Sequence, residues 1–322
     1  MRAANRRAVL FGLCATAVTA GTLGTSQAMD YSDPDTMYAA LRNRPRQTIT
    51  IGGGSIAVVF ADRFTESARL AILRWVRRAA LAVTAYYGRF PVRNYAILIV
   101  AEPGSRVGHA TTFGYDGAAT RIGVGLDAGS DAFDRDWVLV HEMVHTAMPD
   151  LPRRALWLQE GNATYVEPIA RALAGQLPAA DVWREAIDGL PRGLPQATDA
   201  GMDGTNAWGR LYWGGAIFWL QAEIAIYRDS AGTRSLRDAL RHINRASGGN
   251  VANWDPELLM ATGDAALGSD TLGRLYHRFA TSRMTVDLAS VFADLGIADD
   301  GEGHIMFDDR AALAGLRRSI TL

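Results

Sequence analysis

The segment from His141 to Glu167, HEMVHTAMPDLPRRALWLQEGNATYVE, constrains this chain more than any other part of its sequence. His141 and His145 are four residues apart in an apolar run with helical character, so both side chains lie on one helix face, one turn apart. Two imidazoles at this spacing can bind one Zn²⁺ ion, and the Glu142 carboxylate beside them can take a proton from a water on the metal. These five residues predict either a catalytic zinc site or a chance arrangement.

The residues after His145 offer a third ligand. Pro149 and Pro152 indicate a turn, after which LWLQEGNATYVE begins a second predicted helix that can pack against the first. Glu160 lies on this helix and would complete the two-histidine, one-glutamate set of a catalytic zinc ion. Glu167 lies two turns further along the same face, where we expect its carboxylate to hydrogen-bond to a ligating histidine. The alternative for Glu167 is a solvated glutamate.

Taken together, HEMVH, the Leu-Pro pair after it and WLQEGNATYVE resemble the gluzincin zinc peptidases. The resemblance is to the peptidase-MA-like group, which includes the catalytic domains of aminopeptidase N, leukotriene A4 hydrolase and glycyl aminopeptidase. It implies that His141, His145 and Glu160 bind one Zn²⁺ ion, that Glu142 is the general base, and that Glu167 contacts a ligating histidine. The segment between His145 and Glu160 is shorter than in aminopeptidase N, which argues against that subfamily.

A second similarity lies at Tyr212–Gly215, where Y-W-G-G opens an apolar helix. In the same peptidases, the tyrosine of a Y-x-K-G element hydrogen-bonds to the oxyanion of the tetrahedral intermediate, so the resemblance implies this role for Tyr212. A phenol held near the metal is a suitable donor to developing negative charge. Gly214 replaces the usual lysine, and the alternative for Tyr212 is an ordinary core tyrosine.

The glutamate with which true aminopeptidases bind the substrate α-amine has no counterpart in this sequence, because no G-x-M-E-N-type stretch is present. The nearest candidate is the predicted edge strand VGHATTFGYDG, residues 107–117, which has no acidic residue before Asp116. Such a strand can pair with an extended peptide. His109 on this strand is a candidate substrate contact, and a surface histidine is the alternative. The sequence therefore favours an endopeptidase over an aminopeptidase.

The order of predicted elements indicates an α+β protein, with a small mixed β-sheet lobe followed by a mainly helical lobe. The resemblance implies a thermolysin-like zincin whose active-site helix carries HExxH. Thr65 is expected to cap a helix over 66–87, and the β-branched apolar run YAILIVAE (95–102) predicts a central strand. Other strands are predicted around Gly52–Gly54 and between 108 and 126. Further helices are predicted over 135–147, 155–174 and 208–228.

The chain is expected to divide into a signal peptide and four further segments. These are a linker over 29–46, a β-rich lobe over 47–133, a helical lobe with the zinc site over 134–298, and a C-terminal tail over 299–322 with a last strand near 305–307. The tail contains Asp299-Asp300-Gly301-Glu302, which is acidic but lacks the spacing of an EF-hand calcium site.

Residues 1–28 are predicted to be a signal peptide. Arg2, Arg6 and Arg7 form a basic start, Ala8–Gly24 is apolar, and Ser26-Gln27-Ala28 offers small residues for cleavage. The paired arginines suggest the twin-arginine export route. We therefore expect a periplasmic or secreted protein with no stable membrane span in its mature form. A retained membrane anchor is the alternative, although the apolar run is short for a span.

The composition excludes several other classes of function. The net charge of -1 offers no basic surface for nucleic acid. The only cysteine, Cys14, lies in the predicted signal peptide, so the mature chain has neither a disulfide nor a thiol nucleophile. Because the sequence contains no lysine, covalent lysine chemistry is also excluded.

The main hypothesis from the sequence is an exported zinc metallopeptidase that hydrolyses peptide or protein substrates with a zinc-activated water and Glu142 as general base. A second hypothesis is a zinc-stabilised binding or scaffold protein that has the same fold and no turnover. A third is a hydrolase that acts on a non-peptide ester or amide. The sequence indicates no particular oligomeric state.

Overall fold

The computed structural model of the protein describes residues 30–322, and the predicted signal peptide lies outside these residues. Within them, no helix is long and apolar enough to cross a membrane. A five-stranded sheet comes first and a mainly helical region follows, which confirms the predicted α+β class. The strands of the sheet are β1 (Arg46–Ile51), β2 (Gly54–Phe60), β3 (Asn94–Glu102), β4 (Val107–Phe113) and β5 (Ala118–Gly125).

The sheet is mixed, with the strand order β1-β2-β3-β5-β4. β1 pairs with β2 and β4 pairs with β5 in antiparallel register, whereas β3 lies parallel to both β2 and β5. Gly52 and Gly53 both have positive φ in the tight turn between β1 and β2, where side-chain-bearing residues would be strained. β3 is central and its apolar side chains are buried, as predicted. β4 forms one edge of the sheet and lies beside the helix that carries the HExxH motif.

The segment predicted as a linker contains a helix, α1 (Pro34–Asn43). The Asp33 carboxylate accepts a hydrogen bond from the Thr36 N–H at 2.9 Å, which caps the helix. Met37 and Leu41 are buried in a small core cluster against the sheet, on residues of β2, β3 and β5. The linker interpretation of 29–46 is therefore wrong for most of its length, because polar residues on the outer face obscured a four-residue apolar spacing.

The other helices of the described part follow in sequence. They are α2 (Glu66–Tyr87), α3 (Ser130–Asp134), α4 (Val138–His145), α5 (Leu156–Leu173), α6 (Ala179–Gly189), α7 (Gly215–Asp229), α8 (Leu236–Ser247), α9 (Pro256–Leu267), α10 (Thr271–Thr281), α11 (Leu288–Leu295) and α12 (Ala314–Thr321). The Thr65 hydroxyl caps α2 as predicted, by accepting from the Ala68 N–H. A π-helical turn, Arg210–Gly214, leads directly into α7.

Two predicted elements differ in detail from the structure. The helix expected over 135–147 is the shorter α4, Val138–His145, because the Asp136 carboxylate accepts from the Val138 and Leu139 N–H groups and starts the helix there. The short helix α3, Ser130–Asp134, lies before it and was not predicted. The C-terminal tail contains the expected strand, β7 (Ile305–Phe307), paired with β6 (Ile297–Asp299), but it also contains α12. Leu316 and Ile320, four residues apart on α12, are buried.

Helix α5 lies at the centre of the helical region, packed against α2, α4 and α7. Its closest approach is to α7, where Gly161 faces Gly215. A Cβ atom added at Gly161 would lie 2.3 Å from the Gly215 backbone, and one added at Gly215 would lie 2.1 Å from the Trp157 carbonyl oxygen. Both positions therefore require glycine, and this contact brings the beginning of α7 close to the beginning of α5.

Candidate metal centre

Helix α4 presents its two histidines from a well-anchored position. Leu139, Val140, Met143 and Val144 are buried on its other faces. At its start, the Asp136 carboxylate caps the helix and also accepts from the Trp75 indole N–H at 3.0 Å, which ties α4 to α2. The four-residue spacing brings the His141 and His145 rings to a centroid distance of 4.9 Å. The predicted shared face is therefore present.

Glu160, on α5, faces both histidines. Its Oε2 atom lies 3.4 Å from Nε2 of His141 and 3.5 Å from Nε2 of His145, and all three donor atoms lie within 4.8 Å of one another. Two donors at about 2.0–2.2 Å from a tetrahedral zinc ion are about 3.3–3.5 Å apart, so these residues fit Zn²⁺. His141 and Glu160 are almost fully buried, which limits competition from bulk water.

The electrostatics of Glu160 suit a metal ligand. Burial by itself would raise the pKa of this carboxyl, but the neighbouring imidazoles of His145 and His141 outweigh burial and hold the pKa well below its usual range. In the same contact, burial would lower the pKa of His145 and the Glu160 carboxylate raises it. Glu160 is consequently ionised at neutral pH and offers an anionic oxygen to a cation.

Glu142 lies on the side of α4 that faces the sheet edge, and a threonine of β4 holds its carboxylate. The Thr112 hydroxyl donates to Glu142 Oε2 at 2.6 Å. Thr112 Oγ1 also lies 2.6 Å from Thr120 Oγ1, which in turn contacts the buried Tyr95 hydroxyl. Because the Glu142 carboxylate can only accept, Thr112 donates to Glu142, Thr120 donates to Thr112, and the Tyr95 hydroxyl donates to Thr120. Thr112 was not predicted from the sequence, since no local pattern relates β4 to α4.

Tyr212 lies in the π-helical turn before α7 and contacts the metal ligands. Its ring stacks on His141 with 5.9 Å between centroids and 14° between planes. Its hydroxyl lies near the Glu160 carboxylate. Burial, and then the charges of Glu160 and Glu142, raise the pKa of Tyr212 above its usual range, so the phenol keeps its proton.

Glu167 is buried but does not contact the histidines. Its Oε1 atom accepts from Arg171 Nη1 at 3.0 Å, one turn along α5, and this is its hydrogen-bond partner among residues 30–322. Burial raises the pKa of Glu167 to about 8. The solvated alternative is excluded, and the predicted hydrogen bond to a ligating histidine is not formed. The i, i+4 spacing of Glu167 and Arg171 is the sequence signal that indicates this pairing.

His109 lies on β4 and is exposed. Its contacts are with Thr111, whose Oγ1 is 3.5 Å from His109 Nε2, and with Arg121, which donates to its carbonyl oxygen. The pairing of β4 with β5 shifts register between Val107 and Ala110, so His109 lies at an irregularity of the edge strand. The structure does not bring His109 together with the other candidate site residues.

Comparisons with known proteins were made for both the sequence and the structure. No protein-family model matches this sequence, and no curated protein matches it. Among solved structures, an aminopeptidase N family protein from Idiomarina loihiensis is similar, with 13% identity and a TM-score of 0.53 over 79% of this chain and 49% of that chain. An M1 zinc metallopeptidase from Deinococcus radiodurans has 18% identity and a TM-score of 0.49 over 76% of this chain and 53% of that chain.

The present chain thus spans about half the length of these similar structures. At identities this low the likeness concerns the fold alone. The expected α+β architecture is confirmed: over 79% of its length, this chain shares the fold of part of an aminopeptidase N family protein.

Proposed function

We propose that this protein is a zinc-dependent metallopeptidase that hydrolyses peptide bonds. The observation that carries the proposal is the position of the Glu160 carboxylate, buried and 3.4–3.5 Å from Nε2 of both histidines. Beside this ligand set lie a hydrogen-bonded carboxylate, Glu142, and a protonated phenol, Tyr212. A purely structural zinc ion needs neither group, so their presence favours a hydrolase over a scaffold protein.

A zinc ion held by the three ligands would polarise a substrate carbonyl and lower the pKa of a water molecule. The chain's own residues do the rest. The Glu142 carboxylate accepts the proton that the attacking water loses, and then donates it to the nitrogen of the leaving amine. The Tyr212 hydroxyl donates a hydrogen bond to the carbonyl oxygen as that oxygen gains negative charge. Thr112 holds the Glu142 carboxylate in one orientation by its hydrogen bond.

The test is to purify the protein, measure bound zinc, and assay a peptide library by mass spectrometry with wild type and Glu142→Gln. We expect one zinc ion per chain in both proteins, and a loss of about 10²–10⁴-fold in kcat for the variant. Glu66→Gln, which changes an exposed glutamate at the start of α2, is the matched control and should keep full activity. Absence of bound zinc at micromolar free metal would contradict the proposal. Bound zinc without hydrolysis would support the scaffold alternative.

We further propose that cleavage occurs at internal bonds. β4 is an edge strand beside the active-site helix and carries no acidic residue. Two carboxylates, Glu142 and Glu160, act on Tyr212, and they already serve as general base and metal ligand. Neither is therefore available to bind a substrate amine. A free edge can pair with an extended peptide on either side of the cleaved bond. N-acetylated peptides should therefore be cleaved at least as fast as the same peptides with a free amine. A strict requirement for the amine would make the enzyme an aminopeptidase.

Export remains a proposal from the sequence, because residues 1–29 lie outside the described part. The basic start, apolar stretch and Ser26-Gln27-Ala28 support cleavage after Ala28. Expression of the full chain in a bacterial host, followed by intact-mass measurement on the periplasmic fraction, should give a product that starts at Met29. A product of full length in the membrane fraction would instead indicate a retained anchor.

A further inference from the structure

Four rings form a continuous row through the metal centre. Trp208 stacks on Tyr212 with 5.1 Å between centroids and 25° between planes. Tyr212 stacks on His141, and Trp137 meets the other side of this pair, edge-on to His141 at 5.7 Å and 86°. We call Trp208, Tyr212, His141 and Trp137 the aromatic row. Trp137 lies four residues before His141 and Trp208 four residues before Tyr212, so helical geometry places each indole beside its neighbour.

The two ends of the aromatic row are exposed, whereas its middle is covered. Trp137 exposes 49% of its surface and Trp208 exposes 57%, while His141 exposes 5%. The chain has eight tryptophans, and these two are the exposed ones. Packing of the fold therefore explains the other tryptophans but leaves about half of each of these two indoles in water. Exposed aromatic surface beside a reactive centre is typical of ligand-binding sites.

The chemistry around the row selects for apolar groups. Indole faces gain most from contact with flat or bulky apolar side chains. A peptide laid across the metal centre would bring its side chains, on either side of the cleaved bond, within reach of the two indoles.

From these observations we propose that Trp137 and Trp208 are specificity-determining residues, which bind large apolar or aromatic side chains of the substrate next to the cleaved bond. This inference rests on the proposed function, and it names the class of substrate: peptides with residues such as Phe or Leu beside the cleaved bond, in preference to Ala or Asp.

The test uses N-acetylated, C-amidated hexapeptides that differ only in one residue beside the cleaved bond: Phe, Leu, Ala or Asp. We expect wild type to cleave the Phe and Leu peptides with a kcat/KM about tenfold or more above that for Ala and Asp, from burial of indole surface. Trp137→Ala and Trp208→Ala should each lower the ratio of kcat/KM for the Phe peptide to that for the Ala peptide about tenfold, through a higher KM for the Phe peptide. Trp208→Phe should keep most of the preference, because a ring still stacks on Tyr212.

Phe307→Ala removes an exposed aromatic side chain on the β6–β7 hairpin, outside the aromatic row, and should leave all four rates unchanged. A wild type without preference among the peptides, or tryptophan variants with unchanged KM, would overturn the inference while leaving the proposed function intact. Binding is measured separately, by calorimetry on zinc-loaded Glu142→Gln with the same peptides. If wild type cleaves nothing but this variant binds the Phe peptide more tightly than the Asp peptide, the role of the two tryptophans is supported and the proposed turnover is contradicted.

Discussion

The beginning and the end of helix α5 hold buried glutamates in opposite electrostatic surroundings. Near the beginning, Glu160 faces two imidazoles, and its pKa lies below the usual range. Near the end, Glu167 shares the Arg171 guanidinium with two other carboxyls, Asp136 and Glu185, and burial raises the pKa of all three. The same side chain, two turns along one helix, is therefore an anionic ligand in one place and a carboxyl that readily holds a proton in the other.

This difference shows that burial alone does not define the role of a carboxyl. Both glutamates are almost fully covered. Their pKa values differ because the ratio of positive partners to carboxyls differs. Two imidazoles lie beside one carboxylate at Glu160, whereas one guanidinium interacts with three carboxyls around Glu167. The beginning of α5 is thus suited to bind a cation, and the end is suited to hold α5 against its neighbours.

The largest expected effect is on zinc affinity, and it separates the two glutamates. Glu160→Gln removes the anionic ligand and should weaken zinc binding on the order of a thousandfold, as measured by competition with a chelator. Glu167→Gln should leave the affinity within about threefold, because Glu167 has Arg171 as its partner. A loss of about 10–100-fold in the zinc affinity of the Glu167 variant would instead show that Glu167 contacts a ligating histidine, as the sequence suggested.

The next effect concerns the close contact that brings the beginning of α5 to α7. Gly161→Ala adds a methyl group 2.3 Å from the Gly215 backbone, and the helices must separate. We expect a loss of about 3 kcal/mol in the free energy of unfolding, measured with urea, together with weaker zinc binding. Gly129→Ala is the matched control, since its Cβ would meet nothing within 4 Å and its φ of -87° suits any residue. Equal stability of the two variants would show that α5 and α7 are not in close contact.

The smallest effect is the pH dependence of stability that arises at the end of α5. The folded pKa of Glu167, about 8, lies above the unfolded value of 4.5, so the folded state binds more protons between these values. Its stabilising contribution is complete below pH 4.5 and is lost as the pH rises towards 8. Urea unfolding of chelated protein should therefore show that stability falls more steeply between pH 5.5 and 8 in wild type than in Glu167→Gln. Equal slopes in the two proteins would mean that Glu167 is ionised throughout this range.

Much of the fold follows from local patterns in the sequence. Thr65 caps α2, the β-branched run around Ile97 forms the central strand, and the apolar spacing near 141 forms the HExxH helix. Interruptions were harder to predict. The break before α4 depends on a single capping carboxylate, Asp136, and the helix α1 is identified by only a short apolar face. Such features involve one or two side chains, too few to stand out from a polar background.

The candidate site divides in the same way. His141, Glu142 and His145 are neighbours through helix periodicity alone, and the i, i+4 rule also places Trp137 beside His141 and Arg171 beside Glu167. Contacts between distant segments have no such signal. Thr112 reaches Glu142 across 30 residues. Tyr212, which only the resemblance to known peptidases indicated, contacts His141 from the π-helical turn before α7. These partners depend on how the sheet edge and α7 pack against α4 and α5.

The sequence by itself determined the chemistry that this protein can offer: two imidazoles on one helix face with a carboxylate beside them, and further carboxylates at 160 and 167. Only the tertiary structure decided which of those carboxylates meets the imidazoles. The reason is physical, because side-chain spacing along a helix is set by the backbone, whereas a 3.4 Å approach between helices is set by packing of the whole core, here through Gly161 against Gly215.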